Sequence, residues 1–255
     1  WYYNTKRNLI AFNGFTALLE GESNDTKSDD DLLFNLSGSD IAGSLKDDIN
    51  DWVKRNRVSI EEIDSREFLF KKILIGDKDI PATHTTPDSL TINKVLREMV
   101  EQGVSHCFME VSSHGIHQKR TAGLDFKGGI FTNLTHDHLD YHKTFAEYRD
   151  VKKSFFDNLP STAFALANID DKNGLVMLQN TKARKHTYAL KTYADYRVQI
   201  LENEFRGLLL KIDDSEVWTK LIGNFNAYNM IAIYGTADLL GLKKDESLQL
   251  ISTLE

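Results

Sequence analysis

The residues best suited to chemistry lie close together in the middle of this chain. Five of the eight histidines fall between residues 110 and 142, together with carboxylates, hydroxyls and amides that can bind a metal, a phosphate or a sugar. Two short apolar runs, 107–109 and 130–131, each precede one of these polar stretches. Open α/β sheets bind ligands just beyond the carboxyl ends of their strands. The order of residues therefore predicts a site at such an edge.

Two side chains that can bind a metal follow these apolar runs. Glu110 comes directly after the first run, where a carboxylate is typical of magnesium beside a nucleotide phosphate, although a surface carboxylate fits the pattern equally well. His138 follows the second run. Histidines at this density first suggest zinc, because magnesium prefers oxygen ligands, but no spacing matches a standard zinc site. We interpret the histidines without such support as structural or solvated, namely His84, His106, His117 and His186.

Lys152 is unusual because helical spacing places it on an apolar face. It shares that face with four aromatic residues, Phe145, Tyr148, Phe155 and Phe156. Lys153, one position further on, falls on the polar side with Arg149 and Asp157. A lysine in an apolar stripe either extends its ammonium group to the helix edge or exists as a neutral amine. A neutral amine can react with carbon dioxide to form a carbamate, which is an oxygen ligand for a hard cation.

Several polar residues next to these positions could bind an anion, a sugar or a base. Side chains able to hydrogen-bond a phosphate or sugar are Ser112, Ser113, Gln118, Lys119 and Arg120, although such residues are also ordinary in loops. Thr85 and Thr86 precede a helix that begins near Ser89, and a helix N-terminus favours an anion. Further on, Asn226 is predicted to cap a helix, and Asn229 could hydrogen-bond a base edge or simply face solvent.

The elements that must position these residues alternate between strand and helix. Asp88 is predicted to cap a helix that ends at Gly103, and residues 104–111 are typical of a buried strand. A second short strand is predicted at 128–132, and Thr144 is predicted to cap a helix that runs to Asn158. This order of strand, loop, helix and strand predicts an α/β fold with a mostly parallel sheet flanked by helices.

The rest of the chain adds strands and one more helix. Additional β-rich stretches are predicted at 164–167, 196–201 and 208–212, and a last helix at 226–240. Residues 1–70 differ from the rest: 23–31 form a polar acidic run, 45–53 show a weak helical pattern, and none of these residues indicates chemistry. We therefore leave 1–70 unassigned and place one domain at 71–255.

Composition restricts the class of protein. A chain of 255 residues can bury a full core, and its net charge of -7 argues against non-specific binding to nucleic acid. The single cysteine, Cys107, is interpreted as a packed thiol in a reducing compartment. No apolar run has the length of a membrane span, and no secretory pattern is present at the N-terminus. We expect a soluble, cytoplasmic protein.

Six motifs, taken together and in this order, resemble the central domain of the Mur ligases. They are Pro81–Asp88, Met109–His114, Phe131–Leu134, Asp137–His142, Tyr148–Lys152 and Gly223–Asn226. The resemblance covers residues from about 71 to 255 and implies a P-loop-type ATPase fold. Six motifs in the order and approximate spacing of the family are far more specific than any one of them.

The resemblance implies roles for individual residues. Glu110 and His138 correspond to magnesium ligands, and Lys152 corresponds to the carbamylated lysine of the family. Contacts to the UDP-sugar peptide are implied for Thr85, Thr86, Ser112, Gln118 and Arg120. Asn226 and Asn229 correspond to the asparagines on the adenine side. The cofactors implied are Mg²⁺ and ATP.

The resemblance also implies a reaction in peptidoglycan synthesis. ATP phosphorylates the terminal carboxylate of UDP-N-acetylmuramoyl-L-Ala-D-Glu, the amine of a third amino acid attacks the acyl phosphate, and an amide forms with release of phosphate. The amino acid would be diaminopimelate or lysine. The expected partners are these small molecules, without nucleic acid, and the protein is expected to be a monomer.

The sequence also departs from the family pattern. It has no Gly-rich phosphate loop ending in Gly-Lys-Thr, and the C-terminal domain of the family, which would recognise the amino acid, is expected to be absent. Residues 63–66 only faintly resemble the N-terminal uridine-binding domain, of which 1–70 could be a remnant. The chain as printed is therefore expected not to catalyse alone, either because residues are missing from it or because it is a non-catalytic binding or scaffold relative. A folate-polyglutamate or cyanophycin type of ligase is disfavoured by the loop at 83–88.

Overall fold

The computed structural model of this chain describes residues 8–13, 72–75, 78–82, 84–134 and 141–254. The chain divides into two units, one made of Trp1–Phe15 with Thr85–Glu255 and the other of Thr16–His84. The first unit contains β1 (Asn8–Asn13). In the second unit, β2 (Lys72–Ile75) and β3 (Lys78–Pro81) form an antiparallel pair. The weak helical pattern at 45–53 and the faint resemblance at 63–66 lie outside the described residues.

The first unit alternates strands and helices along most of its length. From residue 85 onward its elements are α1 (Ser89–Glu101), β4 (His106–Glu110), α2 (Ser113–His117), β5 (Gly128–Phe131), α3 (Phe145–Asp157), β6 (Phe164–Asn168), α4 (Gly174–Met177), β7 (Arg184–Ala189), β8 (Tyr196–Glu204), β9 (Gly207–Ile212), β10 (Ser215–Thr219), α5 (Asn224–Leu239) and α6 (Lys244–Ser252).

The strands of the first unit form one mixed sheet. The strand order is β10-β9-β8-β7-β6-β5-β1-β4. From β4 to β8 all neighbouring strands are parallel, whereas β8, β9 and β10 pair antiparallel. The predicted fold, a mostly parallel sheet with additional β-rich stretches, is confirmed. Residues 8–13, from the segment left unassigned, supply the strand between β4 and β5.

The two faces of this sheet are covered by different helices. Along β5 and β6 successive side chains alternate, so that Ile130 and Leu166 belong to one buried cluster and Phe131 and Ala165 to the other. The aromatic face of α3 packs in the cluster of Phe131. The buried side of α5 packs in the cluster of Ile130. These two layers fix the carboxyl ends of the parallel strands, where the predicted site lies.

Two of the predicted helix caps are confirmed by geometry. The Asp88 carboxylate accepts hydrogen bonds from the backbone N–H groups of Leu90 and Thr91 at the start of α1. The Thr144 hydroxyl accepts from the Glu147 N–H at the start of α3. Each cap satisfies helix donors that otherwise lack a partner, which is worth about 1 kcal/mol. The caps therefore set where both helices begin.

Four predictions about elements are wrong. Asn226 does not cap the helix predicted at 226–240, because α5 begins two residues earlier and its N-cap is Gly223 with φ 87°. This helix is also not the last, because α6 follows it. The strand predicted as buried is only partly so: β4 ends the strand order of the described sheet, and Phe108 is 51% exposed. Lys153, predicted on the polar side of α3, is buried, although it pairs with Asp157 as its position suggests.

None of the helices in the described part of the chain is both long enough and apolar enough to cross a lipid bilayer.

Candidate active site

Thr86 joins the loop before α1 to the carboxyl end of β4. Its side chain is fully buried. The hydroxyl Oγ1 donates to the backbone carbonyl of Glu110 and accepts from the backbone N–H of Ser112, both at 2.9 Å. The hydroxyl is thus used by the protein itself. The Ser112 hydroxyl is also engaged, because it caps α2 by accepting from Gly115 N–H at 3.1 Å.

Arg120 and Gln118 form the second part of this group. The guanidinium of Arg120 donates from Nη1 to the backbone carbonyl of Thr86 at 2.6 Å, and from Nε and Nη2 to Gln118 Oε1 at 2.9 and 2.7 Å. The backbone carbonyl of Arg120 accepts from the Ser89 hydroxyl at 3.0 Å. The structure therefore brings Thr86, Ser112, Gln118 and Arg120 together, with Thr85 half-buried in the adjacent loop position. Their contact with a substrate stays a prediction.

Tyr141 is a member of this group that the sequence reasoning did not single out. Its hydroxyl lies 2.8 Å from His117 Nδ1 and accepts from Gln118 Nε2 at 3.3 Å. The rings of Tyr141 and His114 lie 3.9 Å apart. His117, interpreted from sequence as structural or solvated, is therefore part of a polar network at the site. The only sequence signal was the position of Tyr141 within the motif Asp137–His142.

Lys152 is buried on the aromatic face of α3, as its spacing predicts. Its side chain is 6% exposed, and Nζ lies 5.3 Å from the centre of the Tyr148 ring. Burying an ammonium ion costs several kcal/mol unless it is well compensated. Lys153, the next residue, is also buried, and its Nζ lies 2.7 Å from both carboxylate oxygens of Asp157. Of the two adjacent lysines, Lys152 is the one on the aromatic face of α3.

Glu110 is the last residue of β4 and faces a cavity of about 640 Å³. His106 and Phe108 from the same strand line this cavity, together with Thr236 and Ala237 of α5. The walls of the cavity are mainly apolar, and Glu110 is the one carboxylate among the residues that line it. A carboxylate at a strand end beside an open space fits a hard cation such as magnesium.

The remaining metal ligand predicted from the sequence, His138, lies outside the described residues. Within residues that are described, no group of three or more His, Cys, Asp or Glu side chains is placed to hold a metal ion. Glu110 fits magnesium by its donor type. Lys152 fits only as a carbamate, because an amine nitrogen is a poor ligand for magnesium. The metal site therefore stays a prediction.

The two asparagines at the start of α5 contact each other. Asn226 is 4% exposed; its Nδ2 donates to the Ile222 carbonyl at 2.8 Å, and its Oδ1 accepts from Asn229 Nδ2 at 3.2 Å. Asn226 therefore closes the first turn of the helix from inside, whereas Asn229 is only half-buried. Of the two, Asn229 is better placed to present an amide to a ligand.

Asp170, a residue that the sequence motifs did not indicate, is a centre of hydrogen bonding. Its carboxylate accepts from the backbone N–H groups of residues 190, 191 and 192 and from the Tyr228 hydroxyl, at 2.8 to 2.9 Å. Burial alone would raise the pKa of Asp170, but these hydrogen bonds outweigh it and lower the pKa from 3.8 to about 2. The carboxylate is therefore ionised at neutral pH.

Comparison with known proteins gives one consistent result. A family model described as the Mur ligase middle domain matches residues 58–237. The UDP-N-acetylmuramoyl-L-alanyl-D-glutamate--2,6-diaminopimelate ligase of Cytophaga hutchinsonii is 55% identical over 182 residues. The ligase of the same name from Phocaeicola vulgatus is 57% identical over 180 residues. Each of these alignments covers 71% of this chain and 37% of the relative.

A solved structure of a ligase with the same name agrees in fold. It matches with a TM-score of 0.62 and 27% sequence identity, over 72% of this chain and 40% of that chain. The chain thus spans well under half the length of these relatives. The similarity in sequence and in fold concerns their middle portion.

Proposed function

This chain belongs to the Mur ligase family, and we propose from that premise that it is the central, ATP-binding part of an amide-forming ligase. The relatives at 55% and 57% identity are named as ligases that add diaminopimelate to UDP-N-acetylmuramoyl-L-alanyl-D-glutamate. We assign the same substrates to the protein that carries this chain, with diaminopimelate favoured over lysine. Its place is then peptidoglycan synthesis in the cytoplasm, and we expect it to act as a monomer.

The observation that carries this proposal is the burial of Lys152. A lysine that is 6% exposed on an aromatic helix face carries a desolvation cost that a leucine there would avoid, so a binding or scaffold protein has less reason to keep it. A ligase gains an oxygen ligand if that lysine carries a carbamate.

In the proposed reaction, Glu110, His138 and the carbamate of Lys152 would hold magnesium. Magnesium bound there would offset the negative charge that accumulates between the ATP phosphates and the substrate carboxylate. A carboxylate oxygen of the dipeptide attacks the γ-phosphorus of ATP, ADP leaves, and an acyl phosphate forms. The amine of diaminopimelate then attacks the acyl carbon and phosphate leaves.

The site residues of this chain would bind and orient the two anions. Arg120 is held by Thr86 and Gln118 with its guanidinium plane fixed, which suits a phosphate or carboxylate of the UDP-sugar peptide. Thr85, Ser112 and Gln118 would supply the neutral hydrogen bonds. At the start of α5, Asn229 would face the adenine of ATP, and the buried Asn226 would hold it through the bond from Asn229 Nδ2. Each of these contacts is a proposal that supports the same reaction.

The proposal is tested by phosphate release together with intact mass. The intact mass of protein isolated from its source is measured by mass spectrometry. The protein is then incubated with Mg²⁺, ATP, UDP-N-acetylmuramoyl-L-Ala-D-Glu and either diaminopimelate or lysine. We expect magnesium-dependent phosphate release and a tripeptide product with diaminopimelate. A protein of 29.1 kDa that binds the UDP-sugar peptide but releases no phosphate would support the scaffold alternative, which the lack of a Gly-Lys-Thr loop favours.

A further inference from the structure

Asp170 lies at the carboxyl end of β6, on the same edge of the sheet as the proposed site. It is reached two residues after Asn168, whose side-chain oxygen accepts from the Asp170 backbone N–H at 3.0 Å and whose Nδ2 donates to the Thr132 carbonyl at 2.9 Å. The backbone that carries the Asp170 carboxylate is therefore tied to the end of β5 through Thr132. It is also tied to β7, because the Ile169 N–H donates to the Tyr188 carbonyl at 3.0 Å. These bonds hold the backbone of Asp170 in place independently of the contacts that its carboxylate makes.

The Asp170 carboxylate joins two further elements. It gathers three backbone N–H groups from the turn after β7, residues 190–192, and the hydroxyl of Tyr228 from α5. Hydrogen bonds to an ionised carboxylate are roughly twice as strong as those between neutral groups. Burial and this bond to Asp170 raise the pKa of Tyr228 to about 12, so its hydroxyl stays protonated and donates at neutral pH.

Two side chains tie the start of α5 to the sheet. The Asn203 amide of β8 donates to Asn224 Oδ1 at 3.1 Å and accepts from the Gly223 N–H at 3.4 Å, and the Tyr228 hydroxyl donates to Asp170 at 2.9 Å. The N-cap of α5 is Gly223, which supplies no side-chain cap bond.

The side-chain bonds of Asn226 and Asn229 stay within the start of the helix, since Asn226 donates to the Ile222 carbonyl and Asn229 donates to Asn226 Oδ1. Tyr228 is the neighbour of Asn229 in sequence and bonds outward to the sheet edge. It therefore relates the turn carrying both asparagines to the rest of the site.

We propose that Asp170, acting through Tyr228, is a positioning residue that sets the asparagines of α5 for recognition of adenine. This inference rests on the proposed function, because it takes the start of α5 as the adenine side. Asp170 itself contacts no nucleotide in this account. It fixes the helix turn, and the half-buried amide of Asn229, held by Asn226, is then presented at a defined place.

The test compares the affinity of the chain for ATP and for ITP, measured by calorimetry at neutral pH. The two nucleotides share the same sugar and triphosphate, so the ratio of their dissociation constants reports on the base alone. We expect the unaltered chain to prefer ATP. Tyr228→Phe removes only the hydroxyl and leaves the three backbone bonds of Asp170, so the variant should fold. It should reduce the ATP-over-ITP preference about tenfold, or about 1.4 kcal/mol.

Tyr234→Phe is the matched control. Tyr234 lies on the same helix, and its hydroxyl donates to a carboxylate oxygen of Asp213 at 2.7 Å, but it is one and a half turns further from the asparagines. This variant loses a bond of the same type and should keep the ATP-over-ITP ratio of the unaltered chain. Asp170→Asn should reduce that ratio at least as much as Tyr228→Phe, since it also weakens the turn at 190–192.

The outcomes separate this inference from the function on which it rests. If the unaltered chain shows no preference for ATP, the adenine site itself is contradicted, and the role of Asp170 falls with it. If the preference exists but Tyr228→Phe and Asp170→Asn leave it unchanged, only the positioning role is overturned. The same holds if Tyr234→Phe reduces the ratio as much as Tyr228→Phe, because the effect would then reflect general destabilisation of α5.

Discussion

Replacing Thr86 by valine should destabilise the protein far more than the loss of one oxygen atom suggests. The two side chains have nearly the same shape, so the variant creates no cavity. It leaves two part-buried backbone groups, the Glu110 carbonyl and the Ser112 N–H, without the hydroxyl that serves both at 2.9 Å. An orphaned buried polar group costs about 1–3 kcal/mol, so we expect a loss of about 3 kcal/mol in the free energy of unfolding.

The assay for Thr86→Val is equilibrium unfolding in urea, followed by far-UV circular dichroism, with a thermal melt as a second measure. For a chain of this size, a loss of about 3 kcal/mol lowers the melting temperature by about 6–12 °C. Thr86→Ser is the informative partner, because it keeps the hydroxyl and removes the methyl group that packs against Gly115. It should cost only about 1 kcal/mol.

Thr91→Val serves as a control for the loss of a hydroxyl in general. The Thr91 hydroxyl donates to Asp88 at 2.6 Å at the exposed start of α1, where water can replace the bond. This variant should therefore lower the free energy of unfolding by at most about 1 kcal/mol. The reasoning is refuted if Thr86→Val is as stable as the unaltered chain, or if Thr86→Ser proves more damaging than Thr86→Val.

Three further predictions concern the site. Folding stability should fall as the pH drops from about 4 towards 2, because the pKa of Asp170 is lowered to about 2 in the folded chain. In acid unfolding curves, the Asp170→Asn variant should lose less stability over this pH range than the unaltered chain, by about 1 kcal/mol after allowance for screening by solvent. In the protein that carries this chain, Lys152→Ala should abolish phosphate release, whereas Lys153→Ala should retain it and lose only stability; an active Lys152→Ala variant would refute a metal role. Arg120→Lys should weaken binding of the UDP-sugar peptide about tenfold in calorimetry, because lysine cannot reproduce the guanidinium bonds to Thr86 and Gln118; unchanged affinity would remove Arg120 from the site.

Local signals made much of the fold predictable. Asp88 and Thr144 are strong N-caps followed by clear helical spacing, and both helices begin where these residues predict. The buried strands β5 and β6 are short apolar runs, and a short apolar run is the signal that predicted each of them as a strand. The position of Lys152 on the aromatic face also followed from spacing, since its aromatic neighbours recur every third or fourth residue, but spacing left open whether its ammonium group extends to the helix edge.

The elements that the sequence did not predict lack such signals. β7 begins with the exposed residues Arg184 and Lys185, so its charged start conceals the strand. α6 begins after Lys243, which gives no side-chain cap bond. α5 was predicted to start at Asn226 because asparagine is a common cap, but a glycine with positive φ holds that position instead.

The candidate site was predictable as a set of residues but not as a network. Sequence motifs indicated Thr86, Gln118 and Arg120 separately, and only the fold shows that they bond to one another. Tyr141 and Asp170 come to the site through long-range contacts, such as the bond from Tyr228 to Asp170 across 58 positions of sequence. A pattern of spacing along the chain carries no information about contacts of this range.

The central claim, that the protein forms an acyl phosphate on the substrate carboxylate, is tested most directly by following oxygen. UDP-N-acetylmuramoyl-L-Ala-D-Glu is labelled with ¹⁸O in its glutamyl carboxylates and supplied with Mg²⁺, ATP and diaminopimelate. If the carboxylate attacks the γ-phosphorus and the amine later displaces phosphate, one labelled oxygen passes to each phosphate released, as mass spectrometry would show. Phosphate released without label would mean that water attacks ATP, which contradicts the ligase reaction.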